Sequence, residues 1–92
     1  MRTYVIGIEG SSLVKIGQTS VEPRERRGAL QTGLPFELTL LWSVLGDYEA
    51  QLHERFAEYR VRGEWFDLSP LGDPLQVIQD AVKRLVVQSA IR

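Results

Sequence analysis

The chain has 92 residues, enough for one domain and too few for two, and its 43% hydrophobic and 25% charged content is that of an ordinary globule with no run long enough to cross a bilayer. It has no cysteine and one histidine, His53, which excludes disulfides, thiolate zinc sites and a cysteine nucleophile and leaves oxygen as the donor for any metal. A formal net charge of −1 excludes binding to nucleic acid through overall charge, so affinity for phosphate requires a local basic face.

Thr3 to Ile8 is rich in β-branched and aromatic residues, as is Leu13 to Gly17, and the Glu9-Gly10-Ser11-Ser12 stretch between them has turn composition. These segments predict a β-hairpin. With Ile8 opposite Leu13 across a four-residue loop, Ile6 faces Lys15 and Tyr4 faces Gly17, so Tyr4 and Lys15 share a face; a three-residue loop separates them. A short helix follows over about Glu22 to Gln31, opened at Ser20 or Glu22, with Pro23 in its first turn and Gly33 placed to end it. Phe36, Leu38, Leu40, Trp42 and Val44 then alternate with Glu37, Thr39 and Ser43, the period of a strand with one buried face, and only Leu41 breaks it.

Asp47 is placed to cap a second helix, in which Tyr48, Leu52, Phe56 and Tyr59 form an inward stripe with Glu49 and His53 beside it. Gly63 breaks the pattern, and Glu64 to Asp67 reads as a short extended piece. Ser69-Pro70 and Asp73-Pro74 mark a turn before a terminal helix, about residues 74–90, whose Leu75, Ile78, Ala81, Val82, Leu85 and Val86 are expected to face the core. That apolar stripe closes the fold and is also a candidate dimerisation surface. The order ββαβα plus a terminal helix predicts a single α+β domain over residues 1–92, a small antiparallel sheet flanked by helices. With no cleavable signal pattern at the amino terminus, the expected location is the cytoplasm, with no membrane partner.

Arg24, Arg26 and Arg27 cluster in one stretch and Arg55, Arg60 and Arg62 in another, while Asp73 and Asp80 lie in the tail. Singly, the polar candidates have ordinary explanations. Tyr4 is a strand former, Lys15 suits an exposed sheet face, Glu49 suits the dipole of a first helical turn, and His53 suits a hydrogen-bonded packing position. In combination they are more specific. Tyr4-Val5-Ile6, Val14-Lys15-Ile16-Gly17, Pro23-Arg24-Glu25-Arg26 running to Leu30-Gln31-Thr32-Gly33, Glu49-Ala50-Gln51-Leu52-His53 and Gly63-Glu64-Trp65-Phe66 occur in one fixed order.

That series, covering about Tyr4 to Phe66, resembles the GIY-YIG nuclease superfamily. It is most similar to the compact phage and bacterial branch, in which Lys-Ile-Gly often replaces the second Tyr-Ile-Gly and a Gly-Glu-Trp-Phe follows. The resemblance implies a three-stranded antiparallel sheet flanked by helices, and a Mg²⁺- or Mn²⁺-dependent endonuclease acting on DNA. It matches Tyr4 to the tyrosine of the first motif, Lys15 to the position of the second tyrosine, Arg26 to the helix arginine and Glu49 to the metal-binding glutamate. His53 and Glu64 match further positions of this branch.

The chemistry implied is coherent. Phosphodiester hydrolysis needs an aligned nucleophile and cations that neutralise charge developing on the phosphate. Glu49 would hold one metal ion that keeps waters and phosphate oxygens as its other ligands. Arg26 would grip a nonbridging oxygen, with Arg24, Arg27 and Arg60 as further candidate phosphate contacts. Tyr4 would orient or deprotonate the attacking water, and Lys15 would favour its phenolate or contact phosphate directly. His53, four residues after Glu49 on one helical face, would donate to a phosphate or hold Glu49 in place. The alternative is a module that retains the fold and binds nucleic acid or a protein without useful turnover. Its motivation is the lysine in place of a tyrosine and the near-neutral charge.

Overall fold

A computed structural model describes residues 1–91. These form five strands and three helices: β1 (Arg2–Ile8), β2 (Leu13–Thr19), α1 (Pro23–Gln31), β3 (Leu38–Leu45), α2 (Glu49–Arg55), β4 (Arg60–Arg62), β5 (Trp65–Asp67) and α3 (Pro74–Ile91). The first hairpin adopts the four-residue-loop register, with Tyr4 opposite Gly17 and Ile6 opposite Lys15. Opposed residues of an antiparallel pair share a face, so Tyr4, Ile6 and Lys15 look one way and Val5, Val14 and Ile16 the other.

The sheet is antiparallel throughout and runs β3-β1-β2-β5-β4. It therefore has five strands rather than the expected three. The two additional strands are three residues each, too short to show a period, and Gly63 turns the chain between them in the left-handed region at a φ of 56°. β5 lies along the outer edge of β2, pairing Asp67 with Leu13, Phe66 with Val14 and Trp65 with Lys15. On the other side, β3 pairs with β1 through a register shift between Val5 and Ile6, where Trp42 and Leu40 are the respective partners. Leu41 is the extra residue, so the break in alternation is a β-bulge. Phe36 precedes the strand and is 43% exposed, contrary to its place in the alternating pattern, because the chain becomes regular only where Leu38 meets Ile8.

One face of the sheet carries the larger core. Val5, Val14, Ile16 and Phe66 pack there against Leu52 and Phe56 around α2 and Ile78, Ala81 and Val82 of α3, all buried. Burying each large side chain of this kind contributes roughly 1.5–3 kcal/mol. The opposite face has a smaller layer of Tyr4, Ile6 and Leu38, with Leu30 of α1 and Trp65 against it. Val86, expected in the core, is 47% exposed because α3 outruns the body beneath it after Leu85. Among the described residues no helix is long and apolar enough to cross a membrane.

The entry to α2 is set from the first strand rather than by Asp47. Tyr48 occupies the cap position without a side-chain cap bond, and its N–H donates to Thr3 Oγ1 at 2.9 Å. Thr3, fully buried, donates in turn to the Gly46 carbonyl at 2.9 Å. The helix ends at Arg55, and Tyr59 falls in a separate 3-10 turn, Ala57–Tyr59, rather than on the helical stripe.

Candidate functional site

β5 stops pairing with β2 at Lys15, so the next residues of β2 have an open edge. The chain fills it with two different groups. The Ile16 N–H donates to the Glu64 carbonyl at 3.0 Å, and the Ile16 carbonyl lies 2.7 Å from His53 Nε2. The short helix α2 is thereby seated across the edge, and Glu49, one turn before His53 on the same face, points its Oε1 to within 3.9 Å of Nε2.

Glu64, in the turn between β4 and β5, closes the group. Its carboxylate accepts from Lys15 Nζ at 2.7 Å and shares a hydrogen bond with the carboxyl of Glu49. Lys15 Nζ also lies 5.9 Å from the centre of the Trp65 ring. On the helical side of the same edge, Arg60 Nη2 is 3.3 Å from His53 Nδ1, and the Arg60 guanidinium stands 5.4 Å from the centre of the Phe66 ring. The His53 and Phe66 ring centres are 4.9 Å apart.

The two carboxyls are driven apart in acidity. Burial raises the Glu49 carboxyl to about 7, aided by its hydrogen bond to Glu64 and by the charges of Glu64 and Asp47, against a smaller opposing pull from Lys15. Burial acts on Glu64 in the same direction but is outweighed by the hydrogen bond and charge of Lys15, with help from the hydrogen bond of Glu49, so Glu64 titrates below its ordinary value. One proton between two facing carboxyls is therefore carried mainly by Glu49.

This donor set suits a hard divalent cation. Magnesium is commonly held by one or two carboxylates with water completing the shell, and Glu49 and Glu64 offer two carboxyls that interact with each other. No set of three or more His, Asp or Glu suited to a metal occurs among the described residues. His53 Nε2 is committed to the Ile16 carbonyl, which leaves Glu49 as the side chain that would hold the ion and Glu64 as the carboxylate shared with Lys15.

Tyr4 lies on the Lys15 face, 1% exposed, with its ring across Gly17. A Cβ at Gly17 would overlap the phenol hydroxyl, so the glycine is what lets Tyr4 lie flat on the sheet. The helix arginines are less tightly placed. Arg26 is exposed on α1 and makes no hydrogen bond or ion pair with the cluster. Arg27 donates to the Leu38 carbonyl at 3.4 Å and serves the α1–β3 junction, while Arg24 lies beside Leu40 and Trp42 of β3. Of the candidate phosphate contacts, Arg60 alone is in the cluster. Glu64 is the member whose role sequence reasoning left unassigned, although its position beside Trp65, the strand partner of Lys15, carries the signal.

A family model described as the T5orf172 domain matches residues 2–86. The match spans nearly all of the chain, which belongs to the T5orf172 domain family. No curated protein and no solved structure matches the chain.

Proposed function

We propose that this member of the T5orf172 domain family is a divalent-metal-dependent endonuclease that hydrolyses phosphodiester bonds in DNA on a GIY-YIG-like scaffold. The observation that carries the reading is the meeting of Glu49, Glu64 and Lys15 at the open edge of β2, on the side to which Tyr4 also belongs. Glu49 would hold Mg²⁺ or Mn²⁺, which when bound supplies Lewis-acid neutralisation of the phosphate. Tyr4 orients or deprotonates the attacking water. Lys15 offers an ammonium to the phosphate or to the phenolate, and Glu64 holds that ammonium when substrate is absent. Arg26, exposed and unengaged on α1, is available to grip a nonbridging oxygen.

The test is incubation of purified protein with supercoiled, linear, single-stranded and branched DNA in Mg²⁺ or Mn²⁺. Metal-dependent strand breaks support the reading, and intact DNA of every form contradicts it.

A second reading, a nucleic-acid-binding or protein-interaction module without turnover, is favoured by two features. Tyr4 is almost wholly buried and Lys15 is paired with Glu64. DNA binding that is indifferent to metal and to Tyr4→Phe supports this module, and metal-dependent cleavage excludes it.

A further inference from the structure

We infer that His53 is a positioning residue, locked as its Nε2–H tautomer between the Ile16 carbonyl and the Arg60 guanidinium, and that this lock fixes Glu49 at the open edge of β2. Its functional consequence rests on the nuclease reading; the lock itself does not.

The tautomer follows from the two contacts. A carbonyl oxygen only accepts, so at 2.7 Å from the Ile16 oxygen Nε2 carries the hydrogen. A guanidinium only donates, so Nδ1, 3.3 Å from Arg60 Nη2, presents a lone pair. One species satisfies both, the neutral ring with its proton on Nε2. The imidazolium would set an N–H against a guanidinium, and the Nδ1–H tautomer fails at both ends. While these contacts stand, neither nitrogen is free to hold a metal.

The position explains why such a lock is needed. Ile16 is fully buried, and its carbonyl points from β2 where β5 no longer pairs, so the imidazole takes the place of a strand partner. α2 has only seven residues and no side-chain cap, and its own length gives it little stability. Beyond the Thr3 bond at its entry, Leu52 in the core and His53 on Ile16 anchor it, and Glu49 lies one turn before the ring, its Oε1 3.9 Å from Nε2. Arg60 comes from β4 and Glu64 from the turn after it, so one small hairpin contacts both His53 and the Glu49 carboxyl.

His53 is the sole histidine, so its imidazole nitrogens are unambiguous in a ¹⁵N-labelled sample of the full chain. The lock predicts the Nε2–H pattern in the wild type, and in Arg60→Leu a downfield move of the Nδ1 resonance with the proton still on Nε2. In DNA cleavage, His53→Gln, whose amide can donate to the Ile16 carbonyl, retains activity within about threefold. His53→Leu lowers kcat by about a hundredfold at unchanged KM, the effect of an ångström-scale misplacement. An imidazolium or an Nδ1–H ring in the wild type, or a glutamine variant as impaired as the leucine one, overturns the inference. If the wild type cuts no DNA, the nuclease reading fails and the resonances alone decide the lock.

Discussion

Lys15 and Glu64 meet at 2.7 Å, and their ion pair ties the first hairpin of the chain to the last. The ammonium stands beside the carboxyl of Glu49 as well, where it opposes the upward push of burial. A cation is thus already resident at the carboxylates. Removing it should relieve repulsion toward an incoming metal. Lys15→Met is expected to tighten Mn²⁺ binding roughly tenfold, about 1.4 kcal/mol, in a calorimetric titration at about pH 8, while lowering cleavage. Weaker binding at that pH would contradict a competing role for Lys15.

Glu49 makes the fold sensitive to alkali. Its carboxyl is raised from 4.5 to about 7, so between those values the folded chain keeps a proton that the unfolded chain has lost. Stability therefore falls as pH rises through that window. Glu64 and Asp67 act oppositely, because carboxyls held below their ordinary values lose their contribution as pH falls through the acid range. The thermal midpoint is expected to drop by a few degrees between about pH 5 and about pH 8. Glu49→Gln should flatten that drop. A wild-type midpoint that rises across the interval would exclude a protonated Glu49.

Thr3 joins β1 to the start of α2 through two hydrogen bonds of 2.9 Å, one donated to Gly46 and one accepted from Tyr48. Thr3→Val keeps the shape and strips both. The expected loss is about 1–3 kcal/mol in urea denaturation, since a backbone donor and acceptor lose their partner together. An unchanged midpoint would show that water replaces the hydroxyl.

Gly17→Ala sets a methyl group into the Tyr4 ring. Overpacking of this kind costs about 1–3 kcal/mol, and the displaced phenol should also depress cleavage beyond the change in stability. Full activity in a stably folded Gly17→Ala would place Tyr4 outside the chemistry.

The first half of the molecule was legible because its signals are local. The hairpin shows in its alternating side chains and turn residues, and of the two loop lengths left open the four-residue one sets Tyr4 opposite Gly17 and Ile6 opposite Lys15. Even the irregularity at Leu41 was visible as a break in period, though not that it would be a bulge against β1. The second half was not legible to the same degree. Strands of three residues carry no period, so β4 was hidden, and although Glu64 to Asp67 read as extended, its pairing with β2 and the open edge that organises the cluster were not visible. The cap expected from Asp47 was overridden by a buried threonine from the far end of the chain, 45 residues before Tyr48. Sequence spacing placed Glu49 and His53 on one face, but the contacts of His53 with Ile16 and Arg60 depend on tertiary pairing.

A single-turnover cleavage assay in Mn²⁺ comparing wild type with Glu49→Gln decides whether Glu49 holds the metal of the proposed DNA cleavage. Wild-type strand breaks that stop on chelation are expected, with a loss of at least about a hundredfold in the variant. Cleavage that persists at the wild-type rate in Glu49→Gln, or that ignores chelation, would contradict that role.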